Sequence, residues 1–152
     1  MKLSHIALAL GITACATTAV AQDFKNQVKA RQGQFQIMAL SLAELGAMAK
    51  GEVEYSEEAA KAAAMSIAGI AMVNPATLWV EGSDNMSIDG TRALPSIWDD
   101  NADFVAKWGA FTSAAAGMPD AVTGGVQNVG PALGKVGASC KSCHEAHRAP
   151  AN

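Results

Sequence analysis

Apolar side chains recur along the chain with the spacing of helix faces. Between Asp23 and Lys50 one series of residues recurs every seven positions, and a second series lies three positions after members of the first. Residues spaced in this way lie on one side of an α-helix. The predicted stripe is Val28, Arg31, Phe35, Met38, Leu42, Leu45 and Ala49. Gly51 is expected to end this first helix, because glycine readily takes the left-handed conformation found after helix ends.

A second helix is predicted from about Ser56 to Val73. Ser56 is suited to cap its first turn, where the negative charges of Glu57 and Glu58 are favourable. Pro75 stops it, since proline interrupts a helix interior. The expected inner face is Ala60, Ala64, Ile67 and Ala71. Its small side chains permit a close approach between helices.

A long connection from Asn74 to Ser96, which contains glycine and aspartate, separates the second helix from a third. Asp99 or Asp100 is expected to cap the third helix, which ends near Gly117. Its inner face is predicted to be Phe104, Trp108, Phe111 and Ala115.

The last segment repeats the spacing of three and four most regularly. Its stripe is Val122, Val126, Val129, Leu133, Val136, Cys140 and Cys143. We expect the firm part of this helix to begin near Pro131, because Gly124, Gly125 and Gly130 disfavour a regular helix before it. The residues predicted to be buried together are Val126, Val129, Leu133, Val136, Phe35, Leu42, Phe104, Trp108 and Phe111. Four helices with two short joins and one long one predict an all-α fold, an antiparallel four-helix bundle.

The first 21 residues have the pattern of a secretory signal peptide. Lys2 and His5 precede an apolar stretch over residues 6–20, and Ala19-Val20-Ala21 is a small-residue cleavage site. The stretch is too short for a membrane span. We therefore expect export to the periplasm and one domain over residues 22–152. An alternative is lipid anchoring, because Ile12-Thr13-Ala14-Cys15 resembles a bacterial lipoprotein box with Cys15 as the lipidated residue.

Charge and composition narrow the functional classes. Residues 22–152 keep 10 basic and 14 acidic side chains, so cleavage would move the formal charge from −3 to −4. The chain has no basic stripe, which argues against nucleic acid as a partner. Aromatic residues are few while alanine, glycine and methionine are frequent, which is typical of closely packed helices around a large flat ligand.

The chemistry is carried by Cys140-Lys141-Ser142-Cys143-His144, the attachment signature of c-type haem. Two thiols one helical turn apart can each add to one vinyl group of a porphyrin, and the following histidine can reach the iron as an axial ligand. A zinc site would need more ligands, of which only His147 is near. A thioredoxin-like pair would need a βαβ setting, which this pattern lacks. The box predicts one haem c, held covalently near the C-terminal end of the fourth helix.

Several short motifs together carry a family resemblance. They are Arg31-Gln32 in the first helix, Lys50-Gly51 at its end, Ala93-Leu94-Pro95-Ser96-Ile97-Trp98 before the third helix, and Arg148 one turn after the haem box. With the box in the last of four helices, this arrangement resembles the class II c-type cytochromes, of which cytochrome c′ is the type. The likeness runs from about Val28 to Arg148, and the glycines before the fourth helix depart from the family pattern.

The resemblance implies a role for each matching residue. Cys140 and Cys143 would hold the haem through thioethers, and His144 would be the proximal ligand. Arg148 would lie beside that imidazole and tune the iron. His147, by contrast, is expected to face outward near the helix end, and Trp98 to pack near the haem edge.

Two arginines are further candidates for haem contact. Arg31 and Gln32 match family positions near the haem propionates and edge. Arg31 also stands out from the residues alone, because a charge on a buried stripe needs a partner, and a propionate would serve. The alternative is a rim position with a packed stem and the charged head in water. Arg92, in the loop before the third helix, is either a haem contact or a solvated loop charge.

The sixth coordination position of the iron separates two functions. Six-coordinate members of the class place a methionine on the first helix, and the matching residue here is Phe35. Phenylalanine has no lone pair to offer, so the resemblance implies an open, apolar distal site that favours nitric oxide and carbon monoxide. The alternative is a six-coordinate His/Met electron carrier that uses Met38, although a methionine on an apolar stripe is usually part of the core.

We therefore expect a haem c protein that binds small gases, transfers electrons, or does both. An enzyme is not expected, because no distal His–Arg pair is evident and phenylalanine has no acid–base group. The residues leave the redox partner protein unspecified. The family resemblance implies a homodimer through the first and second helices.

Overall fold

The computed structural model describes residues 23–151, which are predominantly helical. Its helices are α1 (Lys25–Lys50), α2 (Glu57–Ala71), α3 (Ser96–Asp99), α4 (Asn101–Ala116), α5 (Met118–Ala121) and α6 (Val129–His147). Two 3₁₀ turns cover Pro75–Thr77 and Val126–Asn128. Within this described part there is no strand, and one isolated antiparallel bridge joins Ala93 to Arg148.

The helix ends follow local side-chain chemistry. Ser56 caps α2 by accepting a hydrogen bond from the Ala59 backbone N–H at 3.3 Å. Asp100, one of the two candidate caps, accepts from the Asp103 N–H at 3.3 Å and begins α4. Gly51 follows α1 in the left-handed conformation, with φ 73°. The structure confirms these capping predictions. They could be made from the sequence because each cap depends on residues only a few positions apart.

The four long helices form an antiparallel bundle. α1 packs against α2 and α6, and α4 packs against the same two helices, which makes a closed ring of four neighbours. The inner faces predicted for the second and third helices are confirmed, and all eight residues are buried: Ala60, Ala64, Ile67, Ala71, Phe104, Trp108, Phe111 and Ala115. The all-α fold prediction is therefore confirmed.

The buried face of α1 differs from the predicted stripe. Its buried residues are Val28, Arg31, Gln34, Met38, Ser41, Leu45 and Met48. Phe35 and Leu42 are only half-buried, and Ala49 is exposed. The physical reason is that Phe35 and Leu42 border an internal cavity. The buried residues of α1, spaced three and four apart, include Gln34 and Ser41 instead.

The fourth helix of the bundle begins earlier than expected. α6 starts at Val129, so Pro131 lies in its first turn, where the backbone N–H groups have no intrahelical partner to lose. Gly124 (φ 77°) and Gly125 (φ 128°) break the chain before it. The prediction that Val126 is buried is wrong: its side chain is 41% exposed in the 3₁₀ turn. Leu133 is half-buried, whereas Val129 and Val136 are fully buried.

The predicted signal peptide and the alternative lipidation at Cys15 lie outside the described residues. Among the helices that are described, none combines the length and the apolar character needed to cross a membrane.

Candidate haem site

A cavity of about 500 Å³ lies between α1, α4, α6 and the segment before α3. Its walls are largely apolar. The larger aromatic side chains in them include Phe35 from α1, Trp79 from the segment before α3, and Phe104 and Trp108 from α4. The charged side chains at the cavity are all cationic: Arg31, Arg92, Lys107 and Arg148. A mostly apolar cavity with a small number of charged groups is the form expected of a cofactor site.

Cys140 and Cys143 both reach this cavity from α6. Both are half-buried free thiols, and burial raises the pKa of each above its usual value. They lie one turn apart on the same helix face, because residues three apart are neighbours there. The predicted pair of attachment cysteines is thus brought together on one wall.

His144 lines the same cavity one residue further on. Burial lowers the pKa of its imidazole, and the positive charges of Arg148 and Arg92 lower it further. The neutral imidazole that results is the form that coordinates iron. Arg148 is exposed, and its Nη1 atom lies 3.4 Å from Nε2 of His144, so it is next to the imidazole.

Arg31 is 3% exposed and borders the cavity. Its Nη1 and Nη2 atoms donate to the hydroxyl and the carbonyl oxygen of Ser83, at 2.9 and 2.8 Å. The guanidinium also lies over the ring of Trp79, 4.5 Å from the ring centroid. The alternative in which the charged head is in water is therefore wrong.

Gln32 and Arg92 lie at the cavity with exposed side chains. The Gln32 amide donates to the carbonyl oxygen of Gly90 at 2.6 Å. The Arg92 guanidinium donates twice to the carbonyl oxygen of Ala149, at 2.8 and 2.6 Å. Both side chains therefore already contact backbone at the cavity mouth, and contact with a haem propionate stays a prediction.

Trp79 is a wall residue that the sequence did not single out. Its ring packs 6.3 Å from the ring of Phe35 and 5.3 Å from that of Phe104, measured between centroids. Trp98, which we expected near the haem edge, does not line the cavity; its indole N–H donates to the Trp79 carbonyl oxygen at 3.1 Å. Trp79 lies in an irregular segment, where no periodicity indicates the direction of a side chain.

Met38 also borders the cavity, but it is buried in the bundle core with Leu45 and Met48. Phe35, three residues before it, is half-buried and packs edge-on against Trp79. α1 therefore presents a phenyl ring and a thioether sulfur to the same space.

The prediction that His147 faces outward is wrong. Its side chain is 4% exposed and borders the cavity. Nε2 lies 3.1 Å from the Asp103 carboxylate, and Nδ1 lies 3.0 Å from the Ser96 hydroxyl. The sequence held a signal for this position, because Val136, Cys140, Cys143 and His147 continue the steps of four and three.

The residues present fit a haem c. Two thiols and one neutral imidazole project from one helix, and flat aromatic rings border a cavity whose charged side chains are mostly cationic. Such walls suit a flat apolar macrocycle that carries carboxylates. The indole Nε1 of Trp79 is also buried in this wall with no hydrogen-bond partner in the protein.

Comparison with known families settles the class. The family model for cytochrome c′ matches residues 26–148. The chain belongs to the cytochrome c′ family. Members of this family bind haem c covalently, and Cys140 and Cys143 are positioned to attach it here. The predicted family and cofactor are thereby confirmed.

A curated relative supports the same assignment over nearly the full length. A cytochrome c′ of Cereibacter sphaeroides is 38% identical over 146 residues, which cover 96% of this chain and 98% of the relative.

Solved structures share the fold. A cytochrome c′ from Rhodobacter sphaeroides superposes with a TM-score of 0.81 at 38% identity, over 86% of this chain and all of the other. A cytochrome c′ described as having a ligand-controlled dimer dissociation gives 0.74 at 32% identity, over 85% and 98% of the two chains. A nitric oxide complex of a variant cytochrome c′ from Alcaligenes xylosoxidans gives 0.71 at 30% identity, over 84% and 98%.

Proposed function

We propose that the protein is a periplasmic haem c protein whose iron is held by His144 alone and binds nitric oxide or carbon monoxide, transfers electrons, or does both. The observation that carries the proposal is the position of Phe35, half-buried on the cavity wall against Trp79. A phenyl ring at this place excludes water and supplies no ligand atom. Met38, whose thioether sulfur is the alternative axial ligand on α1, is packed in the bundle core.

When bound, haem c supplies an iron that can take a diatomic ligand and change its charge by one electron. The chain's own residues do the rest. Cys140 and Cys143 hold the group, His144 presents a neutral imidazole, and Arg148 keeps a positive charge beside that imidazole. Arg31 and Arg92, which both border the cavity, would contact the haem propionates in this proposal.

Selectivity for small uncharged gases follows from the apolar part of the wall. Phe35 and Leu42 offer neither a hydrogen-bond donor nor a charge, so anions and water gain nothing by entering. A variant of a related cytochrome c′ forms a nitric oxide complex, which supports the same ligand class here. No catalytic step is part of the proposal, because Phe35 has no acid–base group.

The spectrum of the purified ferric and ferrous holoprotein tests this proposal. We expect high-spin, five-coordinate haem and reversible binding of nitric oxide and carbon monoxide. Met38→Ala should leave the resting spectrum high-spin, as should the control Met86→Ala, whose side chain is exposed on the surface. If Met38→Ala, but not the control, turns a low-spin resting spectrum high-spin, the six-coordinate electron carrier replaces the gas-binding proposal.

Two further elements of the proposal concern assembly and location. Exposed apolar residues on or just after α1 and α2 suit a homodimer through these helices; they are Ile37, Leu40, Met65 and Met72. A Leu40→Glu, Met65→Glu double variant should sediment as a monomer where the wild type sediments as a dimer. Export is tested by cell fractionation and by the mass of the mature protein, which separates cleavage after Ala21 from lipidation at Cys15.

A further inference from the structure

His147 ends α6 one turn after His144, and it is the one buried residue among Glu145, Ala146, His147 and Arg148. Its imidazole contacts two other helices. Nε2 lies 3.1 Å from Oδ2 of Asp103 on α4, and Nδ1 lies 3.0 Å from Oγ of Ser96 on α3. Burying an imidazole is unfavourable unless its ring nitrogens form hydrogen bonds. Both nitrogens of His147 have a hydrogen-bond partner.

The partners of His147 are themselves held in place. Lys107 Nζ lies 3.0 Å from the other carboxylate oxygen of Asp103, one turn further along α4. The Ser96 hydroxyl donates its one hydrogen to the carbonyl oxygen of Ala146 at 2.8 Å. The ring of Phe104 packs against the imidazole edge-to-face, with 5.8 Å between centroids. The orientation of the imidazole is therefore fixed on each side.

The backbone of the same turn is tied to the segment before α3. Leu94 N–H donates to the His147 carbonyl oxygen at 3.0 Å, and Ala149 N–H donates to the Arg92 carbonyl oxygen at 2.8 Å. These backbone bonds attach the end of α6 to the segment before α3. The side chain of His147 attaches the same turn to α3 and α4, inside the bundle.

We propose that His147 is a positioning residue for the axial ligand His144. Residues three apart share a helix face, so a turn whose His147 is locked to Asp103 and Ser96 can neither rotate nor slide without breaking two hydrogen bonds. The lock determines how the His144 imidazole is aimed into the cavity. The inference rests on the proposed function, in which His144 coordinates the iron.

The test uses ferrous holoprotein and the iron–histidine stretching band in its resonance Raman spectrum. His147→Phe keeps a ring that can pack on Phe104 and removes both hydrogen bonds. We expect it to shift and broaden this band, and Asp103→Ala to do the same. Asp103→Asn retains an oxygen that can accept from Nε2, so it should restore most of the wild-type band. Glu145→Gln, on the exposed side of the same turn, is the matched control and should leave the band unchanged.

The outcomes distinguish ligation of the iron by His144 from positioning of His144 by His147. A wild-type spectrum with no iron–histidine band would defeat the proposed five-coordinate iron held by His144 alone. A wild-type band that His147→Phe leaves unmoved, even if the variant unfolds more easily, would show that His147 only stabilises the fold. If His147→Phe does not fold, Ser96→Ala removes one of the two bonds and decides the question by the same band.

Discussion

The guanidinium carbon of Arg31 lies 4.5 Å from the centroid of the Trp79 ring. The same guanidinium donates to the side chain and the backbone of Ser83, which is 52 residues away in sequence. One buried charge on α1 thus fastens the irregular segment that forms part of the cavity wall. Burial lowers the pKa of Arg31, but arginine stays charged at any relevant pH, so the charge needs these partners.

Replacing Arg31 by lysine tests this fastening. Lysine keeps the charge but lacks the planar fork that serves two acceptors and a ring face together. We expect a loss of about 1–3 kcal/mol in the free energy of unfolding and faster exchange of the amide protons of residues 83–91. Denaturant titration and hydrogen exchange measure these. Lys29→Arg, exposed on the same helix, should change neither. An Arg31→Lys variant as stable as the control would contradict the argument.

The burial of α6 and of the turn before it predicts that the same valine-to-aspartate change lowers the free energy of unfolding by different amounts at two positions. Val136 is fully buried, so Val136→Asp places an unpaired charge in the core and should cost roughly 3–5 kcal/mol of folding free energy. Val126→Asp is the control and should stay within about 0.5 kcal/mol of wild type, because this side chain is 41% exposed. Leu133→Asp, at a half-buried site, should fall between them. Equal losses of unfolding free energy in Val136→Asp and Val126→Asp would contradict the burial of α6 described here.

Phe35 controls access to the iron in the proposed function. An incoming gas must displace its ring, so Phe35→Ala should raise the association rate of carbon monoxide. The variant should also unfold more easily than wild type, because it loses the packing of the ring against Trp79. Flash photolysis measures the rate. Val105→Ala, at an exposed position on α4 away from the cavity wall, should leave it unchanged. An unaltered rate in Phe35→Ala would remove Phe35 from the ligand path.

Covalent attachment predicts how haem is lost. Cys140→Ser or Cys143→Ser should leave the haem held by one thioether at best, and the double variant should hold none covalently. Acid–acetone extraction of the denatured protein measures this directly. Because haem binds the native state, the double variant should also unfold at lower temperature. Release of haem from denatured wild-type protein would contradict the predicted linkages.

The Asp103 carboxylate predicts a dependence of stability on pH. The hydrogen bond from Lys107, followed by the charges of Lys107 and His147, lowers the pKa of Asp103 below its usual 3.8. A carboxyl group whose pKa is lower in the folded state stabilises the fold fully above the unfolded value. That contribution is lost as the pH falls from 3.8 through the folded pKa. The gap in unfolding free energy between wild type and Asp103→Asn should therefore be fully present at pH values well above 3.8 and shrink as the pH falls below 3.8. A gap that does not change with pH would rule this out.

Local features of the sequence were enough for most of the fold and for the chemistry of the site. The caps at Ser56 and Asp100 depend on residues a few positions apart, and the inner faces of α2 and α4 follow a helix period that any long amphipathic helix obeys. The haem box likewise places both cysteines and the histidine within five consecutive residues. Such features can be predicted because no distant part of the chain has to be known.

The tertiary structure decided which side chains meet around the cavity. On α1, Phe35 and Leu42 line the haem cavity, while Gln34, Ser41 and Met48 are buried beside them. The irregular segment before α3 brings Trp79 to the wall, and Asp103 and Ser96 draw His147 inward. Sequence determined the elements and the chemical groups through local spacing, whereas the burial of each group depended on partners tens of residues away that only the folded chain brings into contact.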